Sequence, residues 1–314
     1  MNDEMKNPLL AESLATEAKQ GTDNIQSLSS RTERYSEAKK RALQMSSYCK
    51  TVDDTKISNK LASCGNYLVF HHYYTVDKVR LHAAQFCKKH LLCPLCAIRR
   101  GSKAVSAYMQ KFEAVTAEFP TLKPYLVTLT VKNGDDLEER HSHLRRSNKK
   151  MMKARRHALE GRKHCEFAKA VGGVFSIELT NRGKGWHPHI HMVWLCYTAP
   201  DARKLSQEWY DITGDSFIVD VSPISDMASG FVEVLKYALK FSDLSLEDNY
   251  HAFEILSGQR LMDSFGILRG VEIPEELTDE PLDGLPYVEL FYKYLSGAGY
   301  SLHSVQKTPE TSGE

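Results

Sequence analysis

The run Trp186-His-Pro-His-Ile-His-Met-Val-Trp-Leu195 limits the folds open to this chain more than any other stretch. His187, His189 and His191 fall at alternate positions, with Pro188, Ile190, Met192 and Trp194 between them. Successive side chains of a strand point to opposite faces, so the alternation predicts a half-buried β-strand with its imidazoles on one face. The preceding segment, Phe175-Ser-Ile-Glu-Leu-Thr180, alternates as well, and Asn181-Arg-Gly-Lys-Gly185 has the composition of a turn. Together they predict an antiparallel hairpin over 173–195. If the two apolar faces share a core, Glu178 stands on the histidine side. Cross-strand neighbours are roughly 5 Å apart, so Glu178, His189 and His191 can converge on one cation. Three ligands leave coordination positions open, which suits catalysis better than a purely structural site.

A second pattern lies in Gly230–Phe241. Phe231, Val234, Leu235, Ala238 and Leu239 form an apolar stripe at helical spacing, while Glu233, Tyr237 and Lys240 share another face with Lys236 beside them. Lysines around a tyrosine favour a nearby phosphodiester and favour the phenolate.

The chain has seven cysteines. Their odd number and the absence of a signal-peptide pattern argue against a disulfide framework and for residence in the cytoplasm. Cys93-Pro-Leu-Cys96 has the spacing of a zinc knuckle, and Cys87 lies just upstream. Cys64 is a candidate fourth ligand, with His82 and His90 as competitors. A hairpin over Tyr67–Tyr74 and Lys78–Ala84 is predicted between them. Cys49, Cys165 and Cys196 read as small apolar residues.

In this order the motifs resemble the HUH endonucleases and, within them, the replication initiator (Rep) proteins of rolling-circle plasmids. Tyr125–Val131, with its Thr-Leu-Thr, resembles the first family motif; Glu178–Trp194 matches the second and Glu233–Lys240 the third. Phe86–Cys96, followed by Arg99-Arg100, is similar to the Cys-rich segment of one plasmid branch. The resemblance covers roughly 60–245. It implies an α+β fold: a central antiparallel sheet with helices on one face, of the ferredoxin or RRM-like kind, plus an N-terminal zinc module.

The resemblance also implies a chemistry. Tyr237 would nick one DNA strand at the origin, giving a 5′-phosphotyrosine and a free 3′-hydroxyl primer, with later rejoining. His189, His191 and Glu178 would hold Mg²⁺ or Mn²⁺, and Cys64, Cys87, Cys93 and Cys96 a structural Zn²⁺. Glu233 would activate a water at termination, and Lys240 would accompany Tyr237 in the site. His187 is left as an extra ligand, a support behind the ligands or a phosphate contact. A relaxase or a single-tyrosine transposase uses the same chemistry. A zinc-containing DNA-binding protein without catalysis, and a hydrolase using free water throughout, are the readings of other classes.

Charge is segregated behind a formal net of +1. Residues 140–163 carry Arg140, Arg145, Arg146, Lys149, Lys150, Lys153, Arg155, Arg156, Arg162 and Lys163 against the single acid Glu160, while 272–289 is acidic without lysine or arginine. The basic run suits phosphate contact, so Arg145, Arg146, Lys149 and Lys150 are candidate DNA contacts, with Arg99, Arg100 and Lys236. The acidic run reads as solvated or as an interaction surface.

At 314 residues the chain holds one large domain or two modest ones. The pattern divides it into a polar, flexible segment 1–55, a zinc module 56–100, a nuclease domain 101–245 and a C-terminal helical region 246–314 with a loose tail. Thr22–Ser36 reads as loose. Helices are predicted over Gly101–Phe119, Asp135–Arg162, Pro200–Ile212 and 228–241, with a short strand over Phe217–Val221. No apolar run approaches the ~20 residues of a membrane span. No phosphate-binding Gly-Lys-Ser/Thr loop appears, so a host helicase would be recruited along with a host polymerase. The resemblance to the rolling-circle initiators implies the plasmid double-strand origin and its single-stranded hairpin as partners.

Overall fold

The computed structural model describes residues 23–235 and 244–307. The described chain runs α1 (Leu28–Thr51), α2 (Thr55–Ser63), β1 (Tyr67–Tyr73), β2 (Lys78–Ala84), α3 (Pro94–Glu118) and β3 (Lys123–Thr130). It continues with α4 (Leu137–Leu159), β4 (Ala170–Asn181), β5 (Trp186–Cys196), α5 (Ala202–Thr213), β6 (Val219–Pro223) and α6 (Met227–Leu235). Last come α7 (Leu246–Leu256), β7 (Met262–Gly266), β8 (Val288–Leu295) and β9 (Gly299–Lys307). Two compact units result: Ala104–Ile273, and 23–103 joined with 274–307. Both contain antiparallel sheets with helices, the α+β class.

In the unit formed by 23–103 and 274–307, a four-stranded sheet has the order β2-β1-β8-β9, every pair antiparallel. Two expectations change here. The segment expected to be loose is largely the helix α1. Its buried stripe is Tyr35, Ala38, Ala42, Met45 and Cys49, a helical spacing hidden from the eye by small residues and by lysines between them. The tail of the region expected to be helical is the β8–β9 hairpin. Val288-Glu-Leu-Phe-Tyr-Lys-Tyr-Leu295 is rich in aromatic residues that fit a pleated surface, and Gly297 and Gly299 adopt φ of 84° and 77° at its turn.

An acid from the stretch read as solvated is half-buried in this unit and fully engaged. Asp279 accepts from Arg31 Nη2 at 3.0 Å and Leu81 N at 2.8 Å, and pairs with Arg99 Nη2. Arg99 is only 2 % exposed; it also donates to Leu277 O at 2.8 Å and Tyr35 Oη at 3.2 Å. Arg99 therefore stitches the unit together, and the expectation that it faces DNA is corrected. Burial alone would raise the Asp279 carboxyl, but Arg99, Arg31 and the Leu81 N–H outweigh it and hold the group far below the usual carboxylate range.

In the unit Ala104–Ile273, a five-stranded sheet has the order β6-β3-β5-β4-β7, again antiparallel at every pairing. Helix α4 begins at the Asp136 cap, which accepts from Glu139 N, and carries Glu138 and Glu139 in its first turn, where the dipole favours them. Helix α5 is capped by Asp201 and closed by Gly214 at φ 80°.

Helices cover both faces of the sheet among the described residues, where one face was expected. Arg155 of α4 stacks over the Phe265 ring, and Phe265 pairs through Gly173 with Trp194, which assigns α4 to the Trp194 face. Helix α6 lies on the other face, where the Ser176 hydroxyl donates to Val234 O. The physical reason is that β5 is apolar on its histidine side too, beyond the histidines: Val193 and Leu195 are fully buried and need a cover.

Candidate functional site

The β4–β5 hairpin sets the site by register. Glu178 pairs with His189, Ser176 with His191 and Thr180 with His187. Directly paired residues share a face, so the carboxylate and the imidazoles meet as the alternation requires. The turn that fixes this register needs Gly185: its φ is 79°, and a Cβ there would come within 2.7 Å of Gly134 O.

His191 Nε2 lies 3.0 Å from Glu178 Oε2, and His189 Nε2 lies 3.6 Å from Oε1. One ligand atom from each of the three residues lies within 4.8 Å of the others. Glu178 is 1 % exposed, and His189 is buried. His189 Nδ1 and His191 Nε2 are buried without a hydrogen bond. Buried ring nitrogens left unbonded are costly unless a cation or protons enter; His191 Nε2 and His189 Nε2 both face the buried Glu178 carboxylate, so the donor set fits a divalent metal. His187 shares the face, 5.2 Å ring to ring from His189, but stands outside that cluster. Burial first, then His189 and Arg182, holds its pKa below the ordinary imidazole value.

The sequence reading passed over Thr128. On β3, opposite His191, its hydroxyl lies 3.1 Å from His191 Nδ1. With His191 in the tautomer that offers Nε2 as a ligand, Nδ1–H donates to Thr128 Oγ1, which fixes the ring. The available signal was the period-two pair Thr128 and Thr130 in the strand singled out as a motif.

The four expected cysteines form a second cluster. Cys64 Sγ lies 3.6 Å from the Sγ atoms of Cys93 and Cys96, and Cys87 Sγ lies 3.6 Å from that of Cys96. A disulfide needs about 2.05 Å, whereas Zn–S bonds of ~2.3 Å in a tetrahedron separate sulfurs by about 3.8 Å. The spacing fits the tetrahedral ion. The competitors fall away: His82 stacks on His71 at 3.8 Å, and neither it nor His90 joins the cluster. Hydrogen bonds from Cys64 and the other two thiols pull Cys87 far below the usual thiol range, while contacts with Cys64 and Cys87, with burial, push Cys93 and Cys96 well up. Four thiols this close cannot all ionise without a cation.

Behind them lies a residue missed in the sequence. Lys39 Nζ, buried, donates to Ala62 O and Cys64 O at 2.7 Å and to Asn66 Oδ1 at 2.9 Å. It lies in the 1–55 segment read as polar and flexible, which hid it.

The remaining candidates separate. Glu233 is on α6 and half-buried. Tyr237, Lys236 and Lys240 lie outside the described residues. Arg100 is exposed. On α4, Arg146, Lys149 and Lys150 are exposed, whereas Arg145 is half-buried and bonded to Gln259. Helix α4 covers the sheet face away from His189, so these cations do not border the histidine cluster directly.

Among the described residues no helix is long and apolar enough to cross a membrane. The model of the replication-protein family Rep_1 matches residues 78–285. A protein rep of Lentilactobacillus hilgardii is 26 % identical over 278 residues, covering 79 % of this chain and 83 % of its own. One from Streptococcus pneumoniae serotype 2 is 27 % identical over 218 residues, covering 63 % and 65 %. Another, from a Bacillus species, is 27 % identical over 265 residues, covering 71 % and 81 %. No solved structure matches the chain.

Proposed function

The chain belongs to the Rep_1 family of replication proteins, and from that premise we propose that it initiates plasmid rolling-circle replication by nicking one DNA strand with Tyr237. The observation that carries this reading is the convergence of Glu178, His189 and His191 on the sheet face that α6 covers. Helix α6 is described up to Leu235, just past Val234, whose carbonyl is bonded to Ser176 at the register position facing His191. Tyr237 is two residues farther on, within about 8 Å of chain.

Glu178, His189 and His191 would hold Mg²⁺ or Mn²⁺, with imidazole favouring Mn²⁺. Bound there, the ion supplies Lewis acidity toward a phosphate oxygen and orients the phosphodiester. Tyr237 Oη attacks phosphorus and loses its proton; the P–O3′ bond breaks, and the 3′-oxygen takes up a proton. The products are a 5′-phosphotyrosine, which conserves the phosphoester for rejoining, and a 3′-hydroxyl for a host polymerase. Glu233, four residues before Tyr237 in sequence, serves as general base for the water that ends the cycle. Lys236 and Lys240 favour the phenolate and the backbone phosphates. Cys64, Cys87, Cys93 and Cys96 would hold a structural Zn²⁺. Arg100, Arg145, Arg146, Lys149 and Lys150 contact flanking DNA.

The test uses purified protein, Mn²⁺ and single-stranded origin oligonucleotides. The wild-type chain should form a covalent protein–DNA adduct on a denaturing gel. Tyr237→Phe should lose adduct and nicking while retaining DNA binding. Equal cleavage by Tyr237→Phe would overturn the nucleophile, and cleavage without any adduct would favour attack by water.

A further inference from the structure

Three side chains stand in one row across the sheet, and the backbone of Ile218 continues it. Glu178 pairs with His189 and His189 with Thr130. Thr130 in turn donates to Ile218 O from its backbone N at 3.2 Å and its hydroxyl at 3.1 Å. Ile218 leads into β6, the edge strand, two strand spacings or about 10 Å from His189. Phe217 and Ile218 are each 62 % exposed. Single exposed apolar residues are ordinary; two adjacent large ones at a sheet edge, in register with a buried metal-type cluster, ask for an occupant.

The charges around the row say which. Lys132, two residues beyond Thr130, is exposed, and its backbone N–H is held by Ser216 Oγ at 2.8 Å, next to Phe217. At the other end, Arg182 and Lys184 are exposed in the β4–β5 turn, and Asn133 Nδ2 donates to Lys184 O at 3.2 Å, tying the two stretches into one rim. The acids nearby are Asp135, exposed beside Gly185 at the turn, where it partly offsets Arg182 and Lys184, and Asp215 and Asp220. Asp215 is engaged by Arg140 and His143. Asp220 is exposed in the neighbouring row, opposite Thr128. It repels a phosphate from the outer edge and leaves that edge to an uncharged group.

We propose that Phe217 and Ile218 form a binding edge for an unstacked base of single-stranded DNA, while Lys132, Arg182 and Lys184 hold the phosphates beside it. This rests on the nicking reading for its occupant. A paired, stacked base offers no face to such an edge, so the surface distinguishes an opened strand from a duplex. The edge thus selects the strand already melted at the hairpin and sets the offset between the held base and the phosphate at the Glu178 cluster.

Binding is measured by fluorescence anisotropy with a labelled single-stranded oligonucleotide and with the duplex of the same sequence, without added Mg²⁺ or Mn²⁺. The double variant Phe217→Ala/Ile218→Ser should bind the single strand about tenfold or more weakly, with duplex affinity unchanged. Lys132→Gln should lower the slope of log affinity against log salt by about one phosphate contact. In the unaltered protein, a 5-iodouracil-substituted strand should photo-cross-link to the peptide holding Phe217, a readout independent of how the variant folds. Unchanged single-strand affinity in the double variant, or cross-links confined to α4, would overturn the proposal. A chain that forms no adduct yet shows both effects would sink the nicking mechanism and leave this edge standing.

Discussion

The two ligand clusters differ in how the chain builds them. The cysteines come from separate stretches: Cys64 after α2, Cys87 after β2, and Cys93 and Cys96 at the start of α3. Four sulfurs leave no open position, and backbone on every side depends on them being together. Glu178, His189 and His191 stand on two paired strands whose ladder already holds them in place. Three donors leave room for substrate. The cysteine cluster makes structure out of ligands, whereas the hairpin makes a site out of structure.

That contrast can be broken at its strong end first. Cys96→Ser, or chelation of the zinc proposed for this cluster, should unfold the unit of 23–103 and 274–307, since a structural zinc would supply on the order of 10 kcal/mol of folding energy. Limited proteolysis and zinc content read this directly; a variant that loses zinc yet resists protease would show that the cluster does not hold the unit.

Asp279→Asn comes next, at about 3–5 kcal/mol, because it strands the buried charges of Arg31 and Arg99. Its pH dependence has a definite sign. The folded carboxyl is depressed, so its stabilisation is complete above the ordinary value of about 4 and fades as pH falls from there toward the folded value. Acid melting of the unaltered protein should steepen below about pH 4, and the variant should lack that part of the curve.

The smallest effect tests the other end. Thr128→Val removes the partner of His191 Nδ1 and should weaken Mn²⁺ binding ten- to a hundredfold, as typical for such supports, with the melting temperature nearly unchanged. Titration calorimetry showing unaltered Mn²⁺ affinity would mean that the strand ladder alone orients the ring.

The hairpin was legible because period-two alternation and a Gly-rich turn are local signals; Glu178, His189 and His191 could be assigned to one face without knowing the rest of the sheet. The Cys87, Cys93 and Cys96 spacing was equally local. Thr128 was not, since its role arises only when β3 pairs beside β5. Helix α1 was missed because its core stripe is built from alanine, cysteine and tyrosine rather than leucine. Arg99 and Asp279 were misread for a related reason. Charge suggests solvent until a partner 180 positions away in sequence is known, and no periodicity encodes that distance.

Lys39 carries one further implication. Four thiolates around a divalent cation hold an excess of two negative charges, and electron-rich sulfurs of that kind are what peroxides attack. An ammonium bonded to the Cys64 carbonyl cancels half of the excess from the inside. Removing it, as in Lys39→Met, should leave the sulfurs more readily oxidised and the proposed zinc sooner released under oxidative stress.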